Sequence, residues 1–403
     1  MIYLDHAATA GPRHPEVIEA VAAVLRDGLG NPGRSGHRLS LRAARLLEES
    51  RSAVASLFGI SDSARLVFTS GATASINLVL RGYLRPGDTV LASPWEHNAV
   101  MRPLRWMERE MGVRVEIVPP RRDESGYPTG LDLEALQERL AAGPAARLVI
   151  LVAASNVTGE SLPVREIAAL AHRHGATVLV DAAQGAGVLD IQAERDGIDF
   201  LAVTGHKSLE GPAGIGALAM LNPDQVEPLV RGGTGSLSEE EEQPSFPPDR
   251  FEAGTPNLPG IAGLAAAIEL LRRVGTETIA SRHRELRGRL VARLREIPGL
   301  TVHHPTGACG DEPGWLAVVS FIAERCDPGA LAWALDRRGV ACRPGLHCAP
   351  RAHRTLGTWP AGTVRFSPGP ACTEAEIDAA VAALSGAMND VRSRRVEETT
   401  GLD

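Results

Sequence analysis

Two charged residues follow short apolar runs of the sequence. The run 176–180 leads directly into Asp181, and the run 198–203 leads into the polar segment 204–207, which ends in Lys207. Runs of this length and composition are typical of buried strands. Ligands bind at the carboxyl ends of strands in α/β folds, so both side chains are candidates for a binding site.

These two residue types together predict pyridoxal phosphate chemistry. A partly buried lysine with a lowered pKa can form a Schiff base with an aldehyde. A carboxylate on the neighbouring strand can keep a pyridine nitrogen protonated, which makes the ring an electron sink. Lys207 and Asp181 lie 26 positions apart. On these residues alone, an ordinary ion pair at the rim of a sheet is the open alternative.

Composition narrows the class of protein. The chain has 403 residues, is 44% hydrophobic and 23% charged, and carries a net charge of −7 without a basic block. These values are those of a globular protein with a large and a smaller domain, and they argue against nucleic acid as a partner. No apolar run approaches the ~20 residues that span a bilayer, and the N-terminus lacks a signal-peptide pattern. Five cysteines, an odd number, favour a reducing compartment, so we expect a cytoplasmic protein.

Strand and helix patterns alternate along most of the chain, which predicts an α/β fold with a mostly parallel sheet flanked by helices. The predicted strands span 65–69, 88–93, 113–118, 147–153, 176–180, 198–203 and 214–220, and the helices 15–26, 37–58, 131–140 and 164–174, with another beginning near 76. A smaller α+β unit is predicted from strands 316–322 and 363–367 and helices 329–338 and 374–388.

The expected division of the chain has five parts. They are an N-terminal arm (1–14), a large cofactor-binding domain (15–260), connecting helices (261–298), a small C-terminal domain (299–392) and a frayed tail (393–403).

Two further segments could contact a cofactor. In 70–73, a strand turns through small residues, including Ala72 and Thr73, into a helix. The free N–H groups of such a helix start can bind phosphate, although an ordinary helix cap fits as well. His97 lies just past a strand end, where an imidazole could stack on a ring and move protons, or be incidental.

The smaller unit contributes a cysteine loop and a buried arginine. Cys348 lies beside a histidine and near arginines, an environment that can lower a thiol pKa and give a nucleophile. An inert buried thiol is an alternative, and so is a metal site with Cys342, His347 and His353, although their spacing fits no strong zinc motif. Arg365 lies inside an apolar strand, where we expect it to face an anion such as a substrate carboxylate.

Together these segments resemble the class V aminotransferase family of fold-type I pyridoxal phosphate enzymes, and within it the cysteine desulfurases and selenocysteine lyases. The resemblance covers nearly the whole chain, from 3–9 to 364–367. Its most specific segments are 181–184, 204–207, 251–256 and 343–349.

The resemblance implies a role for each matching residue. Lys207 matches the Schiff-base lysine, Asp181 the partner of the pyridine nitrogen, Gln184 the group that reaches the phenolic oxygen, and His97 the stacked histidine. The implied phosphate-binding residues are Ala72, Thr73, Thr204 and His206, with Thr255 reaching the phosphate of a neighbouring subunit in a homodimer. Asn156, which also contacts the cofactor, would hold the substrate carboxylate with Arg365 and Arg343. Cys348 matches the sulfur-accepting cysteine, and no metal is implied.

The implied activity is a pyridoxal phosphate-dependent cysteine desulfurase that converts L-cysteine to L-alanine and leaves a persulfide on Cys348, with His97 as a proton donor. A thiol reductant or acceptor protein would then take the sulfur. A C–S lyase, a selenocysteine lyase, an epimerase and a non-catalytic binding protein are the alternatives. Two departures from the family pattern stand out, namely His6 in place of asparagine and 370–372 in place of an aromatic-Asn-Thr run.

Overall fold

A computed structural model describes residues 1–33, 35–305, 310 and 314–400, the last seven of these by their backbone only. Its helices are α1 Pro15–Asp27, α2 Arg38–Leu57, α3 Ala72–Tyr83, α4 Asn98–Met111, α5 Leu133–Ala142, α6 Val164–Arg173, α7 Ala193–Asp196, α8 Leu258–Val274, α9 Thr276–Arg295, α10 Pro328–Asp336, α11 Pro350–Leu356 and α12 Glu374–Thr400.

The strands are β1 Ile2–Tyr3, β2 Leu66–Thr69, β3 Thr89–Ala92, β4 Arg114–Ile117, β5 Arg121–Arg122, β6 Pro128–Thr129, β7 Ala146–Val152, β8 Thr177–Asp181, β9 Phe200–Thr204, β10 Gly216–Met220, β11 Leu300–Val302, β12 Val319–Ala323, β13 Val340–Ala341, β14 Arg343–Gly345 and β15 Thr363–Phe366.

A seven-stranded sheet forms the centre of the molecule in the order β2-β10-β9-β8-β7-β3-β4. β10 runs antiparallel to both of its neighbours, and the other adjacent pairs are parallel. The predicted α/β fold with a mostly parallel sheet is therefore confirmed. The carboxyl ends of β7, β8 and β9 meet at one edge, where the candidate site residues follow.

Both faces of this sheet are buried, which explains why its strands are apolar runs rather than alternating patterns. Successive side chains of a strand point to opposite faces. In β8, Val178 and Val180 pack in one hydrophobic cluster and Leu179 in another. β9 divides in the same way, with Leu201 in the first cluster and Phe200 in the second.

A second, four-stranded antiparallel sheet has the order β11-β12-β15-β14. Its core contains side chains from α9, α10 and α12 and also Leu4 of the N-terminal arm. The arm reaches this region because β1 pairs in parallel with β13, Ile2 opposite Val340. The domain limits expected from the sequence stay a prediction.

Several boundaries differ from the predicted ones. α3 already begins at Ala72, and the short strand β11 was not predicted, since three residues give too little alternation to recognise. The helix predicted to end at Met388 continues to Thr400, because residues 389–400 contain no glycine or proline that would end it. Of the predicted tail, 401–403 lie outside the described residues. No helix in the described ranges is long and apolar enough to cross a membrane.

Candidate active site

Adjacent strands place Asp181 and Lys207 at one edge of the large sheet. β8 ends at Asp181 and pairs in parallel with β9, Asp181 opposite Ala202. Lys207 lies three residues beyond the end of β9, is half-buried, and has a pKa lowered to about 8. Burial is the main cause, and the positive charges of Arg365 and Arg343 lower it further, whereas Asp181 opposes the shift.

The side chains of Asp181 and Gln184 lie in the wall of the same cavity. One carboxylate oxygen of Asp181 accepts the N–H of Ala183 at 2.9 Å, and burial raises the pKa of this carboxyl group. Nε2 of Gln184 donates to the carbonyl of Ala7 at 2.9 Å, which connects the N-terminal arm to the end of β8.

The start of α3 leaves backbone N–H groups free for an anion. The N-cap residue is Gly71, and no side chain caps the helix. Gly71 has φ of 141°, which an L-residue rarely adopts, and a Cβ there would lie 3.2 Å from Oγ1 of Thr204. Gly216 on β10 is equally restricted, since its Cβ would lie 2.6 Å from Cα of Gly71. This close packing keeps the helix start against the strand ends.

One cavity collects most of the predicted cofactor residues. Its lining includes Ala72, Thr73, His97, Asn156, Asp181, Gln184, Thr204, His206 and Lys207. Thr255 lines a separate cavity that shares Ser70 with the first one. Cys348, Arg343 and Arg365 do not line either cavity, but all three influence the pKa of Lys207 and so lie near it.

His97 precedes α4 and accepts the N–H of Ala99 at 3.0 Å through its Nδ1. Burial, followed by the charge of Lys207, lowers its pKa to about 4. The ring is therefore neutral at pH 7. Because Nδ1 accepts a hydrogen bond, Nε2 carries the proton of the imidazole.

Glu96 is a buried acid that the sequence reasoning missed. Its Oε1 accepts hydrogen bonds from the Ser93 hydroxyl and, at 3.0 Å, from the N–H of Val152. Burial raises its pKa to about 8, and the nearby Asp181 raises it further. Glu96 is consequently protonated at pH 7, so it adds no negative charge beside Asp181. Nothing in the local sequence indicates this burial, because β7 supplies it from more than fifty residues away.

Cys348 is exposed on a short loop between β14 and α11. Both His347 and Cys348 have left-handed backbone angles, with φ of 48° and 57°, a region that costs energy for residues other than glycine. Two hydrogen bonds from residues that follow strands of the large sheet hold this conformation. Asn98 at the start of α4 donates its N–H to the Cys348 carbonyl at 2.8 Å, and Nδ2 of Asn156 donates to the His347 carbonyl at 2.7 Å.

The Cys348 thiol has a cationic neighbour, since Nη2 of Arg343 lies 3.3 Å from Sγ. Arg343 also connects the loop to a chain of buried hydrogen bonds. Nε2 of His347 lies 3.0 Å from the Arg343 carbonyl, and Nδ1 of His347 lies 3.2 Å from Nε2 of His353. Nδ1 of His353 is 2.7 Å from the hydroxyl of Thr358.

This histidine chain, His347–His353–Thr358, has one consistent set of protons. A carbonyl only accepts, so Nε2 of His347 carries its proton and Nδ1 accepts from His353. The Thr358 hydroxyl then donates to His353. Burial lowers the pKa of His347 to about 2 and that of His353 to about 4, so both rings are neutral. Protonation of His347 would place two N–H groups against each other, whereas a second proton on His353 would require the Thr358 hydroxyl to turn and accept it.

Arg365 is fully buried and contacts a carboxylate of this chain. Its Nη2 donates to Oδ1 of Asp5 at 2.8 Å, and Nη1 donates to the Asn156 carbonyl at 2.9 Å. Its Nε has no hydrogen-bond partner in the described part of the chain. The anion that Arg365 faces here is thus Asp5, 360 residues away, a partner that sequence spacing could not indicate. The role of Arg365 toward a substrate carboxylate stays a prediction.

Known proteins resemble this chain in sequence over most of its length. The aminotransferase class-V family matches residues 2–380. The chain belongs to this family. A probable cysteine desulfurase of Xylella fastidiosa is 35% identical over 393 residues, which cover 95% of this chain and 90% of the relative. A cysteine desulfurase of Escherichia coli is 34% identical over 359 residues, covering 87% and 84%.

Solved structures of class-V family members share the fold. The apo cysteine desulfurase of Thermococcus onnurineus superposes with a TM-score of 0.87 at 32% identity, covering 96% of this chain and 95% of that one. The cysteine desulfurase CsdA of Escherichia coli, in its S-sulfonic acid form, gives 0.84 at 31% identity, covering 97% and 95%.

The two departures from the class-V pattern are neighbours in space. His6 is buried, and a Cβ on Gly369 would lie 2.3 Å from its Nδ1. The ring therefore fits only because residue 369 has no side chain. Arg282 holds the adjoining segment by donating to the carbonyls of Pro370 and Cys372 at 3.3 and 2.7 Å. The histidine therefore packs against the residue that directly precedes the altered segment.

No group of three or more His, Cys, Asp or Glu residues within the described ranges could hold a metal ion. Cys342, which the sequence analysis weighed as a metal ligand together with Cys348, is half-buried, and burial raises its pKa to about 12.

Proposed function

We propose that this class-V enzyme is a pyridoxal phosphate-dependent cysteine desulfurase that forms L-alanine from L-cysteine and carries the sulfur on Cys348. The observation that carries the proposal is the position of this thiol. Cys348 is exposed, yet its loop is hydrogen-bonded to the first residue of α4, directly after His97, and to Asn156 of the Lys207 cavity. The matched relatives named as cysteine desulfurases support the same activity.

The residues of the Lys207 cavity fit pyridoxal phosphate. The uncapped start of α3, with Ala72 and Thr73, would hold the phosphate together with Thr204 and His206. The N–H of Ala183 orients the carboxylate of Asp181, which would face the pyridine nitrogen. Gln184 would face the phenolic oxygen, and His97 would stack on the ring. When bound, the cofactor supplies an electron sink for the charge that develops at the substrate Cα.

Lys207 then moves the Cα proton through its Nζ. Its lowered pKa of about 8 places it close to neutrality, where a general base is most effective. His97 is our candidate proton donor on this path. Its ring is neutral with the proton on Nε2, so it must first take up a second proton before it can deliver one.

Cys348 accepts the sulfur. Its Sγ attacks the substrate sulfur as a thiolate, an S–S bond forms, the substrate C–S bond breaks, and the bonding electrons return to the carbon skeleton, which is protonated to alanine. Nη2 of Arg343, 3.3 Å from Sγ, stabilises the thiolate. Asn156, Arg343 and Arg365 are our candidates for binding the substrate carboxylate, which for Arg365 requires exchange of its bond with Asp5.

Further parts of the proposal concern assembly and location. From the family resemblance we expect a homodimer in which Thr255 contacts the cofactor phosphate of the neighbouring subunit. In this chain Thr255 lines the cavity beside that of Lys207. We also expect a cytoplasmic enzyme that transfers its sulfur to a thiol reductant or to an acceptor protein.

The test is product analysis of the cofactor-loaded enzyme with L-cysteine and dithiothreitol, beside Cys348→Ala. We expect equal amounts of alanine and sulfide from the wild-type enzyme and neither from the variant. Pyruvate and ammonia formed by both proteins would indicate a C–S lyase and contradict the proposal. Faster turnover of L-selenocysteine that persists in Cys348→Ala would identify a selenocysteine lyase.

A further inference from the structure

Two helices near the exposed thiol of Cys348 carry arginines. Asn98, which bonds to the Cys348 carbonyl, begins α4, and Arg102 and Arg105 follow it by four and seven residues. Helical residues at these spacings share one face, so the row leads away from Cys348. α11 starts two residues after Cys348 and carries Arg351 and Arg354.

The two rows meet to form one surface, which we call the arginine patch: Arg102, Arg105, Arg351 and Arg354. The pKa of Arg351 is lowered by burial and by the charges of Arg105 and Arg354, so these three guanidinium groups lie close together. α11 is fixed against the start of α4, because Oγ1 of Thr355 donates to the Pro94 carbonyl at 3.3 Å.

Most of this positive charge has no counter-ion. Arg105 pairs with Glu108, but Arg102, Arg351 and Arg354 form no ion pair with a carboxylate in the part of the chain that is described. Arg354 instead stacks on Trp359, with 3.9 Å from its guanidinium carbon to the ring centre. The whole chain carries a net charge of −7, so an unpaired positive cluster beside the reactive thiol is a local exception.

We propose that the arginine patch is the docking surface for a sulfur-acceptor protein whose receiving cysteine is surrounded by aspartate and glutamate. The proposal rests on the proposed desulfurase function and names the partner of the same site. Carboxylates facing the patch would relieve the mutual repulsion of the arginines and would steer the acceptor to Cys348.

The transfer itself is balanced without a further reactant. The acceptor thiolate attacks the outer sulfur of the Cys348 persulfide and forms an acceptor S–S bond. The bond between that sulfur and Sγ of Cys348 breaks, and Cys348 leaves as a thiolate. Arg343, 3.3 Å from Sγ in this structure, stabilises the leaving thiolate.

The dimensions of the patch favour a protein over a small anionic thiol. Arg102 and Arg105 lie four and seven residues past Asn98, which corresponds to about 6 and 10 Å along the axis of α4 from the residue that contacts the Cys348 loop. α11 adds a second row beside them. A small thiol bound at Cys348 would contact Arg343 and reach few of these groups. An acidic protein surface can face all of them at once.

The experiment measures sulfur transfer from the holoenzyme persulfide to two synthetic peptides. Each has one cysteine, flanked by glutamates in one peptide and by lysines in the other. At low salt we expect the glutamate peptide to react about tenfold faster, and the difference to vanish near ~0.5 M salt. Arg102→Glu/Arg354→Glu should remove or invert the preference. Arg173→Glu/Arg272→Glu, which changes two exposed arginines of α6 and α8 by the same charge, should keep it.

Alanine formation with uncharged dithiothreitol separates the two proposals. If no protein forms alanine with dithiothreitol, the desulfurase function fails. If the wild-type enzyme and both double variants form alanine at rates within about twofold of one another, but the wild-type enzyme transfers sulfur equally fast to the two peptides, the docking surface is overturned. It is also overturned if the arginines accelerate sulfur transfer to dianionic mercaptosuccinate as much as they accelerate transfer to the glutamate peptide. A change of oligomeric state in Arg102→Glu/Arg354→Glu alone, seen by sedimentation, would assign the patch to contacts between copies and contradict the proposal.

Discussion

Lys207 lies three residues beyond the end of a strand covered on both faces, whereas Cys348 lies on an exposed loop beside the smaller sheet. The first residue is positioned by the regular geometry of β8 and β9. The second is positioned by single hydrogen bonds, from Asn98, from Asn156 and through the histidine chain.

The two regions also differ in how they treat charge. Burial around Lys207 shifts the pKa of Lys207, His97 and Glu96 toward the neutral forms. At Cys348 the surroundings are open and cationic, with Arg343 beside the thiol. Proton transfer benefits from groups with pKa values near neutrality. A thiolate that must deliver its sulfur to another molecule has to remain accessible.

The largest effect should follow from loss of Lys207. Lys207→Ala removes the base at the substrate Cα, so we expect alanine formation to fall about 10³-fold and exchange of the Cα hydrogen of L-alanine with deuterated solvent to fall with it. Cys348→Ala should abolish alanine formation from cysteine and leave that exchange unchanged. Loss of exchange in both variants would mean that the two regions do not have separate roles.

The regular part of this arrangement could be predicted from the sequence and the irregular part could not. Asp181 and Lys207 follow apolar runs directly, so local patterns place them at strand ends. The burial of Glu96 depends on β7, the counter-ion of Arg365 is Asp5 at the other end of the chain, and His353 receives its partner from a left-handed loop. Each of these contacts requires the tertiary fold, which no local pattern encodes.

An intermediate effect should come from Glu96, through the pH dependence of stability. Its pKa is about 8 in the fold, above the ordinary value near 4.5, so the folded state holds a proton that the unfolded chain loses as pH rises. Its contribution to stability is therefore complete below about pH 4.5 and is lost as pH rises toward 8. Glu96→Gln keeps the shape of the protonated acid without titrating.

Denaturant unfolding of both proteins at several pH values measures this difference. We expect the variant to gain stability relative to the wild-type protein by a few kcal/mol between pH 5 and 8, since one proton corresponds to about 1.4 kcal/mol per pH unit. Other titrating groups cancel in the comparison. A stability difference that stays constant over this range would mean that Glu96 ionises like an exposed acid.

The smallest effect should appear when the support of the loop is weakened. His353→Phe fills the same space but removes the N–H that His347 accepts, so the left-handed conformation at Cys348 loses a constraint. We expect sulfur transfer to Cys348 to slow about tenfold, because misplacement of a nucleophile reduces the rate steeply. Exchange at Cα of L-alanine, which depends on Lys207, should not change.

Two further variants show whether this effect belongs to the histidine chain. Thr358→Val removes only the hydroxyl that donates to His353 and should slow transfer less, by about twofold, since the bond to His347 remains. His283→Phe replaces another buried histidine, whose Nδ1 accepts the N–H of Ala317 in a different part of the fold. It should lower stability without a selective loss of sulfur transfer. Equal losses of transfer and exchange in His353→Phe would show a general disturbance of the site and would refute a positioning role for the chain.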